Sequence, residues 1–225
     1  MVKAILCDID GTLVQSNWLH AEAWQVALGA MGIHLELEAL RRQIGKGGDE
    51  LIPVFVPWWK QTIVEEPLKS LRKYVFQHGL RQQVKPIPGV RDLLLRIHEA
   101  GIKIALASSS AKDDLKIMKQ VANIEDLVDT ETSSEDAERA KPHPDIFQVA
   151  LQKLGLECNE CIALGDTPYD AESAGKAGVR TIGVMTGGWS REDLLAAGCV
   201  EVYEGAADLL ANFERSALMR TGLHG

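Results

Sequence analysis

Short apolar runs separated by amphipathic stretches constrain this chain more than any other feature. The runs are Val2–Cys7, Ile102–Ala107, Leu127–Thr130, Cys161–Leu164, Arg180–Val184 and Val200–Tyr203. Runs this short and apolar suit strands buried on both faces, and the stretches between them suit covering helices. The pattern predicts an α/β fold, a parallel sheet with helices on both faces. Pro88-Gly89 precedes a helix predicted over Val90–Ala100, and Pro144-Asp145 opens another that ends near Gly155. Between them, Ser110 is placed to cap a helix whose first turn carries Asp113.

The stretch from Gln15 to Gln83 breaks this rhythm. It shows helical patterns over Trp18–Met31 and Pro67–His78, with no strand-like alternation. The Gly11 turn brackets it on one side, and Pro86, Pro88 and Gly89 on the other. We read residues 15–83 as an inserted helical cap domain, leaving 1–14 and 84–225 as the α/β core. Trp58 and Trp59 are expected to pack within the cap.

The 225 residues carry a net charge of -8 without a Lys/Arg run, which argues against nucleic acid or an anionic membrane as partner. A small anionic substrate stays compatible, because one placed lysine and a metal ion reverse the local field. No apolar stretch approaches the roughly 20 residues of a membrane span. Asp8 and Asp10 interrupt the first apolar run where a signal peptide would continue it, so a cytoplasmic location is expected. Cys158 and Cys161 have C-x-x-C spacing, but no second pair accompanies them and Cys161 opens an apolar run. They read as small hydrophobes rather than zinc or redox ligands.

The chemistry sits where the runs end. Asp8-Ile9-Asp10-Gly11-Thr12-Leu13 follows the first run, and residues two apart in an extended segment point to one side. One carboxylate can attack an electrophile while the other shuttles a proton, and together they can hold a divalent cation. Ser108, Ser109 and Ser110 follow the second run, where hydroxyls facing a helix N-terminus suit an anionic oxygen. Phosphate binding and helix capping are both open to Ser108, whereas Ser110 reads as a cap. Lys141 begins Lys-Pro-His-Pro-Asp, whose prolines stiffen the backbone, and it can neutralise both a carboxylate and a phosphate. In Gly165-Asp166-Thr167-Pro168-Tyr169-Asp170, Asp166 can complete a cation site with Asp8, and Asp170 can orient Lys141 or a metal-bound water. A capped turn is the plainer reading of that segment. Ligands of open parallel sheets collect outside the carboxyl ends of strands. Asp8, Ser108 and Asp166 each end a predicted strand, so they are expected to converge on one active site.

Together these segments resemble the haloacid dehalogenase superfamily of phosphohydrolases. Its four signature motifs appear in order as Asp8–Leu13, Ser108–Ser109, Lys141 and Gly165–Asp170. The likeness extends to Pro-Gly-Val at 88–90 and the tail from Gly183 to Gly187. It implies a Rossmann-like core and a phosphoryl transfer in which Asp8 attacks phosphorus to form an aspartyl-phosphate. Asp10 protonates the leaving oxygen, then takes a proton from the hydrolytic water. The resemblance implies Mg2+ held by Asp8, the Asp10 carbonyl, Asp166 and a phosphate oxygen. Ser108, Ser109, Lys141 and backbone N–H groups near Asp10 and Gly11 would hold the other phosphate oxygens. The aspartate at position 10 favours phosphate esters over the dehalogenase and phosphonatase branches.

The insertion resembles the helical cap of the subgroup containing phosphoglycolate phosphatases and β-phosphoglucomutases. Ser16, His20 and Trp24 match positions at its entrance, and Gln15 departs from an aspartate common there, with a local hinge effect expected. His20 either bonds near Asp10 and gates its swing or is a satisfied structural histidine. Gly45-Lys46-Gly47-Gly48 matches the subgroup's specificity loop. Lys46 can bind a second anionic or hydroxyl-rich group there, or the loop is a plain turn. Mutases of the subgroup carry an arginine in this loop, where Gly48 stands nearest here, and this favours hydrolysis. The expected activity is a Mg2+-dependent phosphatase for a small phosphate ester of phosphoglycolate or sugar phosphate type, in a monomer or homodimer. A hexose-phosphate mutase and a non-catalytic phosphometabolite-binding protein are the alternatives.

Overall fold

A computed structural model describes residues 1–220. The chain opens with β1 (Ala4–Cys7), followed by a short β2 (Val14–Gln15). Helices α1 (Asn17–Ala30), α2 (Leu37–Arg41), α3 (Gly48–Phe55) and α4 (Trp58–Val75) come next, and the last continues as a π turn over Phe76–Leu80. The chain then returns through β3 (Lys85–Pro86), which pairs antiparallel with β2, Val14 facing Pro86. After it come α5 (Val90–Glu99), β4 (Lys103–Ala107), α6 (Lys112–Ala122), β5 (Thr130–Thr132), α7 (Asp145–Leu154), β6 (Cys161–Gly165) and α8 (Pro168–Lys176). The chain closes with β7 (Arg180–Val184), α9 (Arg191–Ala196), β8 (Cys199–Tyr203) and α10 (Ala206–Ala211).

The apolar runs form one six-stranded sheet in the order β5-β4-β1-β6-β7-β8, with every neighbouring pair parallel. This is the predicted α/β architecture. Alternate side chains leave the two faces unlike each other. Ile5, Cys7, Ile104, Leu106, Ile162, Leu164, Ile182 and Val184 face a large cluster with α5, α6 and α10. Ala4, Leu6, Ala105, Ala107, Cys161 and Ala163 face α7 and α8, where small residues let the helices approach the sheet closely. The helices between β2 and β3 bury a cluster of their own, centred on Trp24, Leu28, Leu40, Leu51, Ile52 and Leu68. None of the described helices is long and apolar enough to cross a membrane.

Three expectations need correction. The strand expected over Leu127–Thr130 runs over Thr130–Thr132, because Asp129 Oδ2 accepts the N–H of Ile104 and Leu127 is buried in the α5–α6 cluster. Pro67 lies inside α4 rather than at its start. Its missing N–H leaves the carbonyl of residue 63 without a helical donor, tolerable where Ile63 is exposed and water can serve. Trp58 and Trp59 are 77% and 60% exposed on the first turn of α4, so Trp24 rather than this pair supplies the buried indole.

Candidate active site

Three adjacent strands deliver the polar groups, as their order requires. Asp8 follows β1 and donates its N–H to Leu164 O at 2.9 Å, extending the ladder by one residue. Ser108 follows β4, and its N–H donates to Thr132 O. Asp166 follows β6. After Asp10 the chain reverses at Gly11, which has φ +89°, a conformation glycine adopts without strain. Gly11 N–H donates to Val14 O at 2.8 Å and its carbonyl accepts from Thr186 Oγ1. Gly11 therefore builds the turn and its N–H is not turned to a phosphate, contrary to expectation.

Lys141, from the loop before α7, is fully buried. Its Nζ donates to Asp8 Oδ1 at 2.6 Å, Asp170 Oδ1 at 2.8 Å and Ala107 O at 2.9 Å. These three bonds use all three ammonium protons. Burial alone would lower the Lys141 pKa, but Asp170 and Asp8 outweigh it and raise the value, so the ammonium stays charged. Asp170 also accepts from Thr167 N–H and Oγ1, closing a capping box on α8. The capped turn and the lysine-orienting role thus hold together.

Burial pushes the Asp8 carboxyl up to about 7, opposed by Lys141 and reinforced by Asp170 and Asp10. Asp166 is raised well above the usual range by burial, then by Asp170 and Asp8. Thr12 Oγ1 donates to Asp166 Oδ1 at 2.7 Å, and Asn17 Nδ2 donates to its Oδ2 at 2.8 Å. Ligand atoms of Asp8, Asp166 and Asp170 lie within 4.8 Å of one another. Three buried carboxylates facing one buried ammonium lack the charge of a divalent cation, and hard oxygen donors suit Mg2+. The buried Asn17 Oδ1, with no partner among the described residues, adds an unsatisfied acceptor beside this group. The residues fit a cation of that class.

Asp10 stands apart electrostatically. Ser16 Oγ and His20 Nε2 approach its Oδ1 at 2.6 and 2.9 Å, and Ser110 Oγ donates to its Oδ2 at 2.6 Å. Burial would raise its pKa, but His20 and the three hydrogen bonds outweigh burial and hold the carboxyl well below the usual range. Arg72 Nη2 lies 2.8 Å from His20 Nδ1. A guanidinium only donates, so in the neutral ring Nδ1 accepts from Arg72, and Nε2 carries the proton towards Asp10 whether the ring is neutral or charged. His20 stacks on Phe76 with centroids 4.0 Å apart, so both roles considered for it, structural and Asp10-directed, are present. Ser110 does not cap α6, because the helix starts one residue later with Ala111 at the N-cap. That shift leaves the Ser110 hydroxyl for Asp10, while Ser108 Oγ accepts the Ser110 N–H at 3.1 Å.

A cavity of about 500 Å³ lies between the inserted helices and the sheet's carboxyl edge, lined by Lys46, Gly47, Lys69, Arg72, Ser109, Ser110 and Arg139. Lys46 Nζ donates to Gln43 Oε1 at 2.7 Å and sits 4.7 Å from the centroid of the Tyr169 ring. A Cβ on Gly45 would lie 2.9 Å from Thr167 Oγ1, so the loop's closeness to the sheet depends on its glycine.

The family model of haloacid dehalogenase-like hydrolases matches residues 5–184, a span that includes all four motif segments. The chain belongs to the haloacid dehalogenase-like hydrolases. A relative from Caldanaerobacter subterraneus subsp. tengcongensis, provisionally named pyrophosphatase PpaX, is 30% identical over 190 residues, 84% of this chain and 83% of its own. The phosphorylated carbohydrates phosphatase of Thermotoga maritima is 25% identical over 207 residues, 90% of this chain and 94% of its own. The crystal structure of a hydrolase from Pseudomonas syringae superposes with a TM-score of 0.87 at 27% identity, covering 96% of this chain and 99% of that one. The resemblance read from the motifs is therefore borne out.

Within this haloacid dehalogenase-like hydrolase, Asp8, Asp10, Lys141, Asp166, Asp170 and His20 all meet at one edge. Thr12, Asn17, Arg72 and the Asp10 bond of Ser110 escaped the sequence reading. Thr12 lies inside a recognised segment, and its hydroxyl four residues after Asp8 was the one available signal. For Arg72, on a polar helix far from every motif, the sequence carries no signal.

Proposed function

We propose that this chain hydrolyses a small phosphate monoester through a phosphorylated Asp8, with Mg2+ as cofactor. The observation that carries the reading is the buried Lys141 bridging Asp8 and Asp170 beside Asp166. In the first step an Asp8 oxygen bonds to phosphorus and the ester P–O bond breaks. The departing alkoxide takes its proton from Asp10, protonated for that step. In the second step ionised Asp10 takes a proton from water as the water oxygen bonds to phosphorus, freeing Asp8 and inorganic phosphate. The hydrogen bonds from Ser16, His20 and Ser110 favour this ionised form. Asp8, Asp166 and the Asp10 carbonyl would hold Mg2+, which would supply positive charge against the phosphate oxygens. Lys141 acts on phosphate through its charge, since its protons already hold Asp8, Asp170 and Ala107 O. Ser108 and Ser109 offer hydroxyls at the same strand end.

The polar cavity with Lys46, Lys69, Arg72 and Arg139 on its walls supports a small hydrophilic anion of phosphoglycolate or sugar phosphate type as substrate. Two relatives, named as a pyrophosphatase and a phosphorylated carbohydrates phosphatase, support a small phosphorylated substrate. Residues 15–83 serve in this reading as a cap over the core, with Gly45, Lys46 and Gly47 selecting substrate in a cytoplasmic enzyme. The test is phosphate release from a panel of phosphorylated metabolites, with Mg2+ and with chelator. Release with Mg2+ only is expected, and a purified protein inactive on the whole panel yet binding one member tightly would overturn catalysis.

A further inference from the structure

We propose that Asn17 is a positioning residue of the cation site, aiming Asp166 with its amide and offering its carbonyl oxygen to water on the bound ion. The inference rests on the metal-dependent reading above. Asn17 is the first residue of α1, two residues after β2, and only 6% of its surface is exposed. Its Nδ2 donates to Asp166 Oδ2 at 2.8 Å, while Thr12 Oγ1 holds the other carboxylate oxygen at 2.7 Å. Both donors are neutral. They orient the carboxylate without cancelling its charge, which stays available to a cation, as outer hydrogen bonds commonly do around metal ligands.

The amide has one sensible orientation, since a carboxylate oxygen needs a donor opposite it. That orientation leaves Asn17 Oδ1 buried and without a partner among the described residues. A buried amide oxygen calls for a donor, and the neighbouring Asp166 carboxylate offers none. Water accompanying a bound divalent cation would supply the missing hydrogens, because Mg2+ keeps several of its waters when bound by few carboxylates. Space is arranged for the contact: a Cβ on Gly11 would collide with both Asn17 Nδ2 and Asp166 Oδ2, and one on Gly187 with Asp166 Oδ2. A second cavity of about 380 Å³ touches Asn17, Gly11, Thr186 and Gly187 beside this side of the site. The bond also joins an inserted helix to the end of β6, 149 residues away, so displacement of α1 loosens Asp166.

Mn2+ binding to the full chain, followed by calorimetry and by the electron paramagnetic resonance of free Mn2+, tests this in the wild type, Asn17→Ala, Asn17→Leu and Asp166→Asn. Asn17→Leu keeps the volume and removes both polar atoms, so it separates packing from hydrogen bonding if Asn17→Ala folds poorly. The wild type is expected to bind one ion and Asp166→Asn to lose it. Both Asn17 variants should bind Mn2+ about ten- to hundredfold more weakly, the usual scale for such partners. The Mg2+ concentration giving half-maximal hydrolysis should rise by a similar factor. Unchanged Mn2+ affinity in a folded Asn17 variant, beside a wild type that binds, overturns the role of Asn17 alone. A wild type that binds no divalent cation overturns the metal reading and this inference with it.

Discussion

Lys141 Nζ lies 2.6 Å from Asp8 Oδ1, and the lysine side chain has no exposure to solvent. The two residues are 133 positions apart and meet because β1 lies at the centre of the sheet. An ammonium so placed costs desolvation, which its carboxylate partners must offset. The arrangement makes sense as a chemical device: it holds one oxygen of Asp8 in place and keeps positive charge where phosphate oxygens arrive.

Lys141→Met should therefore be costly. It leaves Asp8 and Asp170 buried without their counter-charge, and breaking such a pair destabilises by about 3–5 kcal/mol. Urea denaturation is expected to show the loss, smaller at pH 5.5 than at pH 8 because Asp8, raised to about 7, is protonated at the lower value. An equal loss at both values would contradict the pairing.

Asp8→Asn should abolish turnover with the circular dichroism spectrum unchanged, since it removes the carboxylate proposed to attack phosphorus and relieves acidic crowding. Retained activity refutes Asp8 as nucleophile. Asp10→Asn should be severely impaired while still binding substrate, and full-rate turnover there would show that another group moves the proton.

Ser110→Ala removes one of three hydrogen bonds to Asp10. The bond holds the Asp10 carboxylate in position for proton transfer, so kcat should fall in the variant although Asp10 becomes easier to protonate. The Asp10 pKa should rise, and with it the acidic limb of the kcat profile. Ser110→Thr, which keeps the hydroxyl, should restore both; failure to do so would place Ser110 elsewhere in the reaction.

Metal-free stability should fall as pH rises. Asp8 has its folded pKa raised from 3.8 to about 7, so its contribution is fully present below about 4 and lost as pH climbs through 7. Asp166 is shifted in the same direction. Mg2+ competes with these protons, so its stabilisation should be small at pH 5 and grow towards pH 8. Thermal melts with and without Mg2+ measure this directly, and a pH-independent shift would mean that the ion binds elsewhere.

With no arginine at Gly48, β-glucose 1-phosphate supplied with its bisphosphate should yield inorganic phosphate. Accumulation of glucose 6-phosphate would instead establish a mutase.

Much of the site was legible because its chemistry follows strand ends, and strand ends show in the sequence as abrupt stops of apolar runs. Asp8, Ser108 and Asp166 were placed that way. Ser110 reads as a cap from the sequence, but α6 starts at Lys112 with Ala111 at its N-cap, and a shift of one residue decides a cap. The family resemblance implies a phosphate contact for the Gly11 N–H, but the turn itself takes that donor. Trp58 and Trp59 were assigned to a core on hydrophobicity alone, which says nothing of which helix face turns outward.

The parallel sheet, the long helical insertion and the motif acids were decided by the sequence alone, because hydrophobic periodicity and residue spacing act locally along the chain. The tertiary structure decided which neutral groups surround those acids. Ser16, Ser110 and His20 collect on Asp10, and Thr12 and Asn17 on Asp166, because separate elements fold to within hydrogen-bonding distance. In both aspartates burial favours the acid and these contacts favour the anion; the contacts win at Asp10, whereas burial, reinforced by Asp170 and Asp8, wins at Asp166. Burial and hydrogen bonding set a carboxyl group's charge, and neither is defined until the chain has packed.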